Sequence, residues 1–330
     1  MIRLTLACTA SDRTRPLLDG RVTVPGCDIT FLPGEPEDIF RRALRDRAFE
    51  VSELSMGSHI VTTARGDSPY VGLPVFLSRA FRHSAIYVRT DRGIRTAADL
   101  AGRTIGLPEY QQTAALWVRG ILREHYGVDT RGIAWRTGGE RVAITLPPGF
   151  DVRPLGRDLE AALEAGEIDA LIAPRPPACL GVAPGGAPSG VAPGGAALVA
   201  RLYSDYRAEE MAWHRASGFF PIMHCLAVRK DVAERHPWLP LELHRAACRA
   251  KALSLAELQM VNVLRVSLPW IAAAHEEQAA AMGGDPWPYG FARNRAEVAA
   301  MIRFALADGL AAEAIEPEAL FHPSTLAEPG

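Results

Sequence analysis

The chain has 330 residues, 48% of them hydrophobic and 22% charged, with a formal net charge of −2 at pH 7. That composition is ordinary for a globular protein and leaves room for two domains. The near-neutral charge gives no electrostatic reason to expect nucleic acid or an anionic membrane as partner.

In chain order, Arg3 and Thr5 break the first apolar run, so the N-terminus does not read as a signal peptide. Alternation of Ile2, Leu4 and Leu6 predicts a strand over 2–7 instead. No apolar run approaches the roughly 20 residues of a membrane helix. A polar loop, Ser11-Asp12-Arg13-Thr14-Arg15-Pro16, is followed by short strand-like pieces near Val22 and Ile29. Pro36, with Glu37 and Asp38 behind it, starts a helix that reaches about Ala48. Its buried face is Ile39, Phe40, Ala43 and Leu44. Residues 50–55 read as a strand offering Glu53 and Ser55 at its end, before a helix over 58–65. This β-α-β-α order predicts a parallel sheet with its ligand side at the strand C-termini.

Residues 70–89 are largely extended around Pro74 and a polar insertion at 78–84, and 86–88 reads as a strand crossing into a second lobe. There a strand over 104–107 delivers the turn Pro108-Glu109-Tyr110-Gln111-Gln112 to an amphipathic helix carrying Ala114, Trp117, Val118, Ile121 and Leu122. A strand that delivers a polar loop to a helix start outlines an anion site. A strand at 133–135, a helix at 158–165 and a strand over 167–173 come next. The tract 181–195, GVAPGGAPSGVAPGG, is expected as a flexible surface loop, and it lacks the Lys and Ser/Thr of a phosphate loop. A helical patch at 203–214 precedes a returning strand at 219–228. Helices are predicted over 239–258, 269–282 and 295–306, interrupted by the aromatic turn at 284–290. The expected organisation is lobe 1 from 1–88 plus 225–330 and lobe 2 from 89–224. Two crossing strands, near Ile86 and Met223, would join them, with a ligand cleft between the lobes. Five scattered cysteines (Cys8, Cys27, Cys179, Cys225, Cys248), with no C-x-x-C pair, fit a reducing cytoplasm.

Seven segments, in order, carry a resemblance over nearly the whole chain: DRTRPLLDGRV, ELSMGS, PVFLSRAFRHSAIYV, DLAGRTIGLPEYQQTAALWVRGIL, GFFPIMHCLAVR, DPWPYGFARNR and EALFHP. They resemble the 4,5-dihydroxyphthalate decarboxylase family. The resemblance implies an α/β, two-lobed type II periplasmic-binding-protein-like fold with two crossover hinge strands and a helical C-terminal segment. It also implies a decarboxylase-like site. The 181–195 tract has no counterpart in the resemblance, which leaves the exact substrate open because a scaffold can persist while ligands diverge.

Decarboxylation of a hydroxylated aromatic diacid needs a cationic clamp for the carboxylate that stays, an acceptor for the hydroxyl, and an acid aimed at ring carbon. Arg15, Arg79 and Arg82 are candidates for the clamp, since guanidinium meets carboxylate bidentately; the bland reading is that each only solvates a loop. His83 and His224, each beside a proposed crossing strand, are candidates for proton transfer, against structural histidines that fix the hinge. Glu109 and Tyr110 are acid–base candidates, against simple helix-dipole complementarity for Glu109. Gln111, Thr113 and Ser55 could bind substrate; Thr113 reads equally as a helix cap and Ser55 as a helix start. Trp117 reads as core, while Trp287 and Tyr289 either cover an aromatic ring or pack a turn. The chemistry needs no metal or organic electron sink in principle, and no H-x-x-x-H, H-E-x-x-H or paired-cysteine pattern occurs. Neither metal nor cofactor is therefore expected, with a scattered site from His83, His224 and a carboxylate left open; no G-x-S-x-G supports a serine nucleophile. The expectation is a cytoplasmic, cofactor-independent decarboxylase of a small aromatic carboxylate, with 4,5-dihydroxyphthalate as lead substrate. The alternative is an intracellular binding protein that captures a small carboxylate without catalysis. A homo-oligomer is left open.

Overall fold

A computed structural model of the chain describes residues 1–180 and 198–330. The tract expected as a surface loop, 181–195, lies outside the described residues. The chain begins with β1 (Ile2–Cys8), a one-turn helix α1 (Arg15–Leu18), β2 (Cys27–Pro33), α2 (Pro36–Asp46), β3 (Val51–Ser55), α3 (Met56–Ala64) and β4 (Tyr70–Arg79). It continues with β5 (Ile86–Arg89), β6 (Thr104–Leu107), α4 (Thr113–Glu124), β7 (Ala134–Thr137), β8 (Val152–Pro154), α5 (Leu159–Ala165), β9 (Ala170–Ile172), β10 (Val199–Arg201) and α6 (Tyr206–Ser217). It ends with β11 (Ile222–Arg229), α7 (Lys230–Arg235), α8 (Leu239–Leu258), α9 (Ile271–Met282) and α10 (Phe291–Ala307).

Local chemistry sets these boundaries. Pro36 occupies the start of α2 with Glu37 and Asp38 in the first turn, and Arg47 ends the helix in the left-handed region at φ 50°. Asp158 caps α5 by accepting the Ala161 N–H at 2.8 Å, and Gly166 releases it at φ 75°. The helix expected over 58–65 starts at Met56 because Ser55 is its N-cap. The strand piece expected near Val22 is absent: residues 19–26 are turns and bends, although Val22 and Val24 are buried.

The chain divides into two compact units. Unit 1 holds Met1–Arg79, Ile222–Ala299 and Ile315–Gly330; unit 2 holds Ala80–Pro221 and Ala300–Ala314. The sequence reading puts all of 225–330 in lobe 1, whereas Ala300–Ala314 clusters with unit 2. The reason is contact with α4: Asp308 is the buried partner of Arg119, and the Phe304 ring occupies the space where Gly120 lacks a side chain. The chain passes from one unit to the other after Arg79, Pro221, Ala299 and Ala314, so β5, expected as a crossing strand, lies wholly in unit 2 and β11 wholly in unit 1.

Unit 1 is built on a five-stranded sheet in the order β2-β1-β3-β11-β4. β1 runs parallel to both β2 and β3, while β11 runs antiparallel to β3 and β4. Leu4 and Leu6 of β1, Val51 and Leu54 of β3, and Ile39, Phe40 and Ala43 of α2 are buried. Unit 2 holds a six-stranded sheet in the order β10-β5-β9-β6-β7-β8. Its centre is parallel, with β6 between β9 and β7. One part of its core gathers Tyr87, Ala162, Leu163, Ile168, Leu171 and Val199. Parallel strands send their loops out at the carboxyl edge, where α/β sheets bind ligands. In unit 1 that edge carries residues 9–14, Ser55 and the start of β11; in unit 2 it carries 108–112 and 138–141.

Candidate active site

Every residue of β3 is buried, and an apolar run would be ordinary in such a strand. It reads Val-Ser-Glu-Leu-Ser instead, and each polar side chain has a partner. The Ser52 hydroxyl donates to the Glu53 carbonyl at 2.9 Å, and Ser55 Oγ accepts the Ser58 N–H at 3.4 Å to cap α3. Glu53, 1% exposed, accepts the Thr9 N–H through Oε2 at 2.6 Å and meets His224 Nδ1 through Oε1 at 2.6 Å. Burial alone would raise its carboxyl, but the hydrogen bond and charge of His224, with the bonds from Thr9, hold it below the usual carboxylate range. An ionised carboxylate only accepts, so Nδ1 carries the proton and Nε2 is the ring nitrogen left for other chemistry. The His224 side chain is 18% exposed, and its ring stands edge-on to Phe40 at 4.8 Å between centroids. The sheet register sets His224 opposite Ser55 on one side and Ser78 on the other.

The three arginines expected as clamps have different fates. Arg79 has no exposed side-chain surface: it pairs with Glu297 at 3.0 Å, donates to the Pro288 carbonyl at 3.0 Å and bonds Asn294. Burial lowers its guanidinium despite the charge of Glu297. It braces the 285–290 turn against β4, so the clamp expectation does not survive for it. Arg15 is exposed at the first position of α1. Arg82, in unit 2, is half-buried, and burial pulls it down to about 10 against the opposing charge of Glu210.

In unit 2 the 108–112 loop is drawn inward. Tyr110 is 1% exposed, with the Arg119 guanidinium 3.9 Å from its ring centroid. Burial raises its phenol well above the usual range, which keeps the hydroxyl protonated at neutral pH. Gln111 is fully buried and donates from Nε2 to Glu109 at 2.8 Å. Glu109, 8% exposed, also pairs with Arg141. Thr113 is buried as the first residue of α4; the cap position belongs to Gln112, so Thr113 is not the cap. The sequence reading missed Glu140, whose Oε1 accepts the Tyr110 N–H at 2.9 Å while Oε2 is buried without a partner. Burial and then the charge of Glu109 push its carboxyl up to about 7. The signal available for it was a carboxylate directly after the glycine pair that closes β7.

His83, also in unit 2, is a correction to the acid–base expectation. It is 1% exposed, neither ring nitrogen has a hydrogen-bond partner, and Tyr126, Tyr203 and Trp213 surround it within 6.0 Å between centroids. Burial pulls it down to about 4, so it is a neutral core residue. Among the described residues no group of three or more His, Cys, Asp or Glu side chains is arranged to hold a metal ion, and no helix is long and apolar enough to cross a membrane.

No family model matches the chain. It is 42% identical over 334 residues to a 4,5-dihydroxyphthalate decarboxylase of Comamonas testosteroni, an alignment covering 98% of each chain. It is 41% identical over 227 residues to a 4,5-dihydroxyphthalate decarboxylase of Pseudomonas putida, covering 66% of this chain and 83% of the relative. Among solved structures, the periplasmic aliphatic sulphonate binding protein SsuA of Escherichia coli superposes with a TM-score of 0.54 at 14% identity, covering 99% of this chain and 100% of its own. At that identity the likeness carries the fold alone: a periplasmic-binding-protein-like α/β scaffold.

Proposed function

The chain belongs to the 4,5-dihydroxyphthalate decarboxylase family, and we propose that it converts 4,5-dihydroxyphthalate to 3,4-dihydroxybenzoate and CO2, with His224 supplying the proton. The observation that carries the role of His224 is its 2.6 Å bond to the buried Glu53 at the carboxyl edge of the unit 1 sheet.

In this reading the hydroxyl para to the leaving carboxylate pushes an electron pair into the ring. The ipso carbon takes a proton from His224 Nε2. The bond from ring to carboxylate then breaks, its electron pair restores aromaticity, and the carboxylate leaves as CO2. The imidazole regains its proton from solvent. One proton is consumed per turnover, and no electrons are exchanged with an outside donor. Glu53 offsets the charge of the imidazolium and fixes its tautomer. Ser55, opposite His224 in the ladder, is the neighbouring hydroxyl for substrate. General acid assistance of this kind contributes about 10²–10⁴ in rate. We take the protein to work in the cytoplasm, a reading supported by five cysteines that are all free thiols.

Purified protein given 4,5-dihydroxyphthalate is expected to release CO2 and 3,4-dihydroxybenzoate in equal amounts. Stabilisation by the diacid without either product would overturn the reading in favour of a binding protein.

A further inference from the structure

Two sequence segments that the proposed chemistry leaves unused meet in unit 1: the loop after β1 and the aromatic turn before α10. The turn is stapled to β4 at three points. Trp287 Nε1 donates to the Phe76 carbonyl at 2.7 Å, the Gly290 N–H donates to the Pro74 carbonyl at 2.8 Å, and Arg79 donates to the Pro288 carbonyl at 3.0 Å. Lys251 adds a bond to the Trp287 carbonyl at 3.2 Å. The indole is thereby a fixed shelf, and the Arg13 guanidinium lies on it, 3.7 Å from the ring centroid.

Arg13 is held on further sides. Nη1 pairs with Asp12 at 2.7 Å, and Nη2 donates to the Leu77 carbonyl at 3.2 Å. The side chain is 15% exposed, and Nε is buried without a partner. Each terminal nitrogen carries two N–H groups, so each keeps one beyond these bonds. The fork offered is the Nη1/Nη2 end. Immobilising a long side chain this fully costs conformational entropy, which the indole, Asp12 and the Leu77 carbonyl offset, so the guanidinium is held in place before any ligand arrives. Its anchor is informative too. Leu77 precedes Ser78, the ladder partner of His224, so the guanidinium is tied within one strand spacing and one residue of the proposed proton donor.

We propose that Arg13 is the guanidinium that binds the carboxylate the substrate keeps, in place of Arg15, Arg79 and Arg82. This rests on the decarboxylase reading above. A planar cation stacked on an indole, with one N–H left on each terminal nitrogen, can meet a carboxylate bidentately, and a diacid with one carboxylate so held turns the adjacent ring carbon to a fixed position.

The test separates binding from turnover. Calorimetry with phthalate, a diacid without hydroxyls, and inhibition by 3,4-dihydroxybenzoate both read the retained carboxylate. Loss of a charge-assisted bond predicts that Arg13→Met weakens both by about 10- to 100-fold, with Arg13→Lys intermediate. His224→Ala lowers turnover and leaves both affinities within about threefold. A folded Arg13→Met that binds both acids within about twofold of wild type overturns the proposal. If Arg13→Met does not fold, wild-type affinities in Arg13→Lys overturn it, as does wild-type protein that binds neither acid. Wild-type binding of phthalate without turnover of 4,5-dihydroxyphthalate defeats the decarboxylase reading, while the Arg13 effect on phthalate still stands.

Discussion

Glu53→Gln removes one charge and one acceptor from a carboxylate that uses both of its oxygens. Oε2 takes the Thr9 N–H and Oε1 takes the His224 Nδ1 proton, each at 2.6 Å. An amide has a single acceptor. Turned toward Thr9, it presents its NH2 to Nδ1 and drives the imidazole proton to Nε2; the doubly protonated ring then faces a donor. Turned the other way, it sets its NH2 against the Thr9 N–H. In both orientations the imidazolium loses its counter-charge, a charge-assisted bond of about 1.5–3 kcal/mol. With the acid role lost as well, kcat is expected to fall about 10²- to 10⁴-fold. KM should move less, because Glu53 is buried behind His224 Nδ1. The assay is 3,4-dihydroxybenzoate formation across pH, with thermal unfolding on the same samples. The folded carboxyl lies below its ordinary 4.5. Its stabilising contribution is therefore present above that value and lost as pH falls through the lower folded pKa, a loss Glu53→Gln should not show. A folded Glu53→Gln with near-wild-type kcat refutes the pairing as the source of the acid.

Glu140 gives the opposite sign. Its folded pKa, about 7, stands above its ordinary 4.5, so the folded state binds more protons between those values and stability falls as pH rises through them. Glu140→Gln should raise Tm at pH 8 but not at pH 5, by a gain of at most about 3 kcal/mol. Asp308→Ala strands the fully buried Arg119, which it meets at 2.7 Å, and should cost about 3–5 kcal/mol in urea unfolding. His83→Phe replaces an imidazole whose nitrogens lack hydrogen-bond partners with a ring suited to its aromatic surroundings. It should keep kcat and hold or raise Tm; a kcat loss of about 100-fold in a folded protein would restore the proton-transfer role expected from sequence.

The alternation of Ile2, Leu4 and Leu6, the Pro36 helix start and the strand leading into the 108–112 loop were legible because periodicity and capping are local. Long-range partnership was not. Arg79 and Arg13 look alike as loop arginines, yet one is consumed by Glu297, Asn294 and the Pro288 carbonyl while the other lies on Trp287. His83 stands just before β5 and His224 within β11, but what separates them is the company each meets: three aromatic rings for one, a buried carboxylate for the other. Asp308, some 189 residues from Arg119, draws the end of α10 into unit 2, and no pattern within the helix announces that. Glu53 and Ser55 were legible as polar groups at a strand end, whereas the His224 that Glu53 meets lies far along the chain.

The energetics of Glu53 bear on whether this scaffold captures or converts. Placing a carboxylate in a central strand, fully screened from water, costs several kcal/mol even after pairing, and an apolar residue there would usually hold the sheet as well or better. A protein that only held a diacid would have no use for that expense: backbone N–H groups, serines and a guanidinium such as Arg13 suffice to bind carboxylate, and a buried negative charge nearby works against an anionic ligand. The arrangement makes sense when the histidine in front of Glu53 must hold a proton, keep one tautomer and give that proton to carbon, since each of those tasks is served by an ionised carboxylate on Nδ1. The same reasoning fixes what a non-catalytic relative should look like. With an apolar residue at the position of Glu53, it would keep its affinity for aromatic acids and lose the proton transfer.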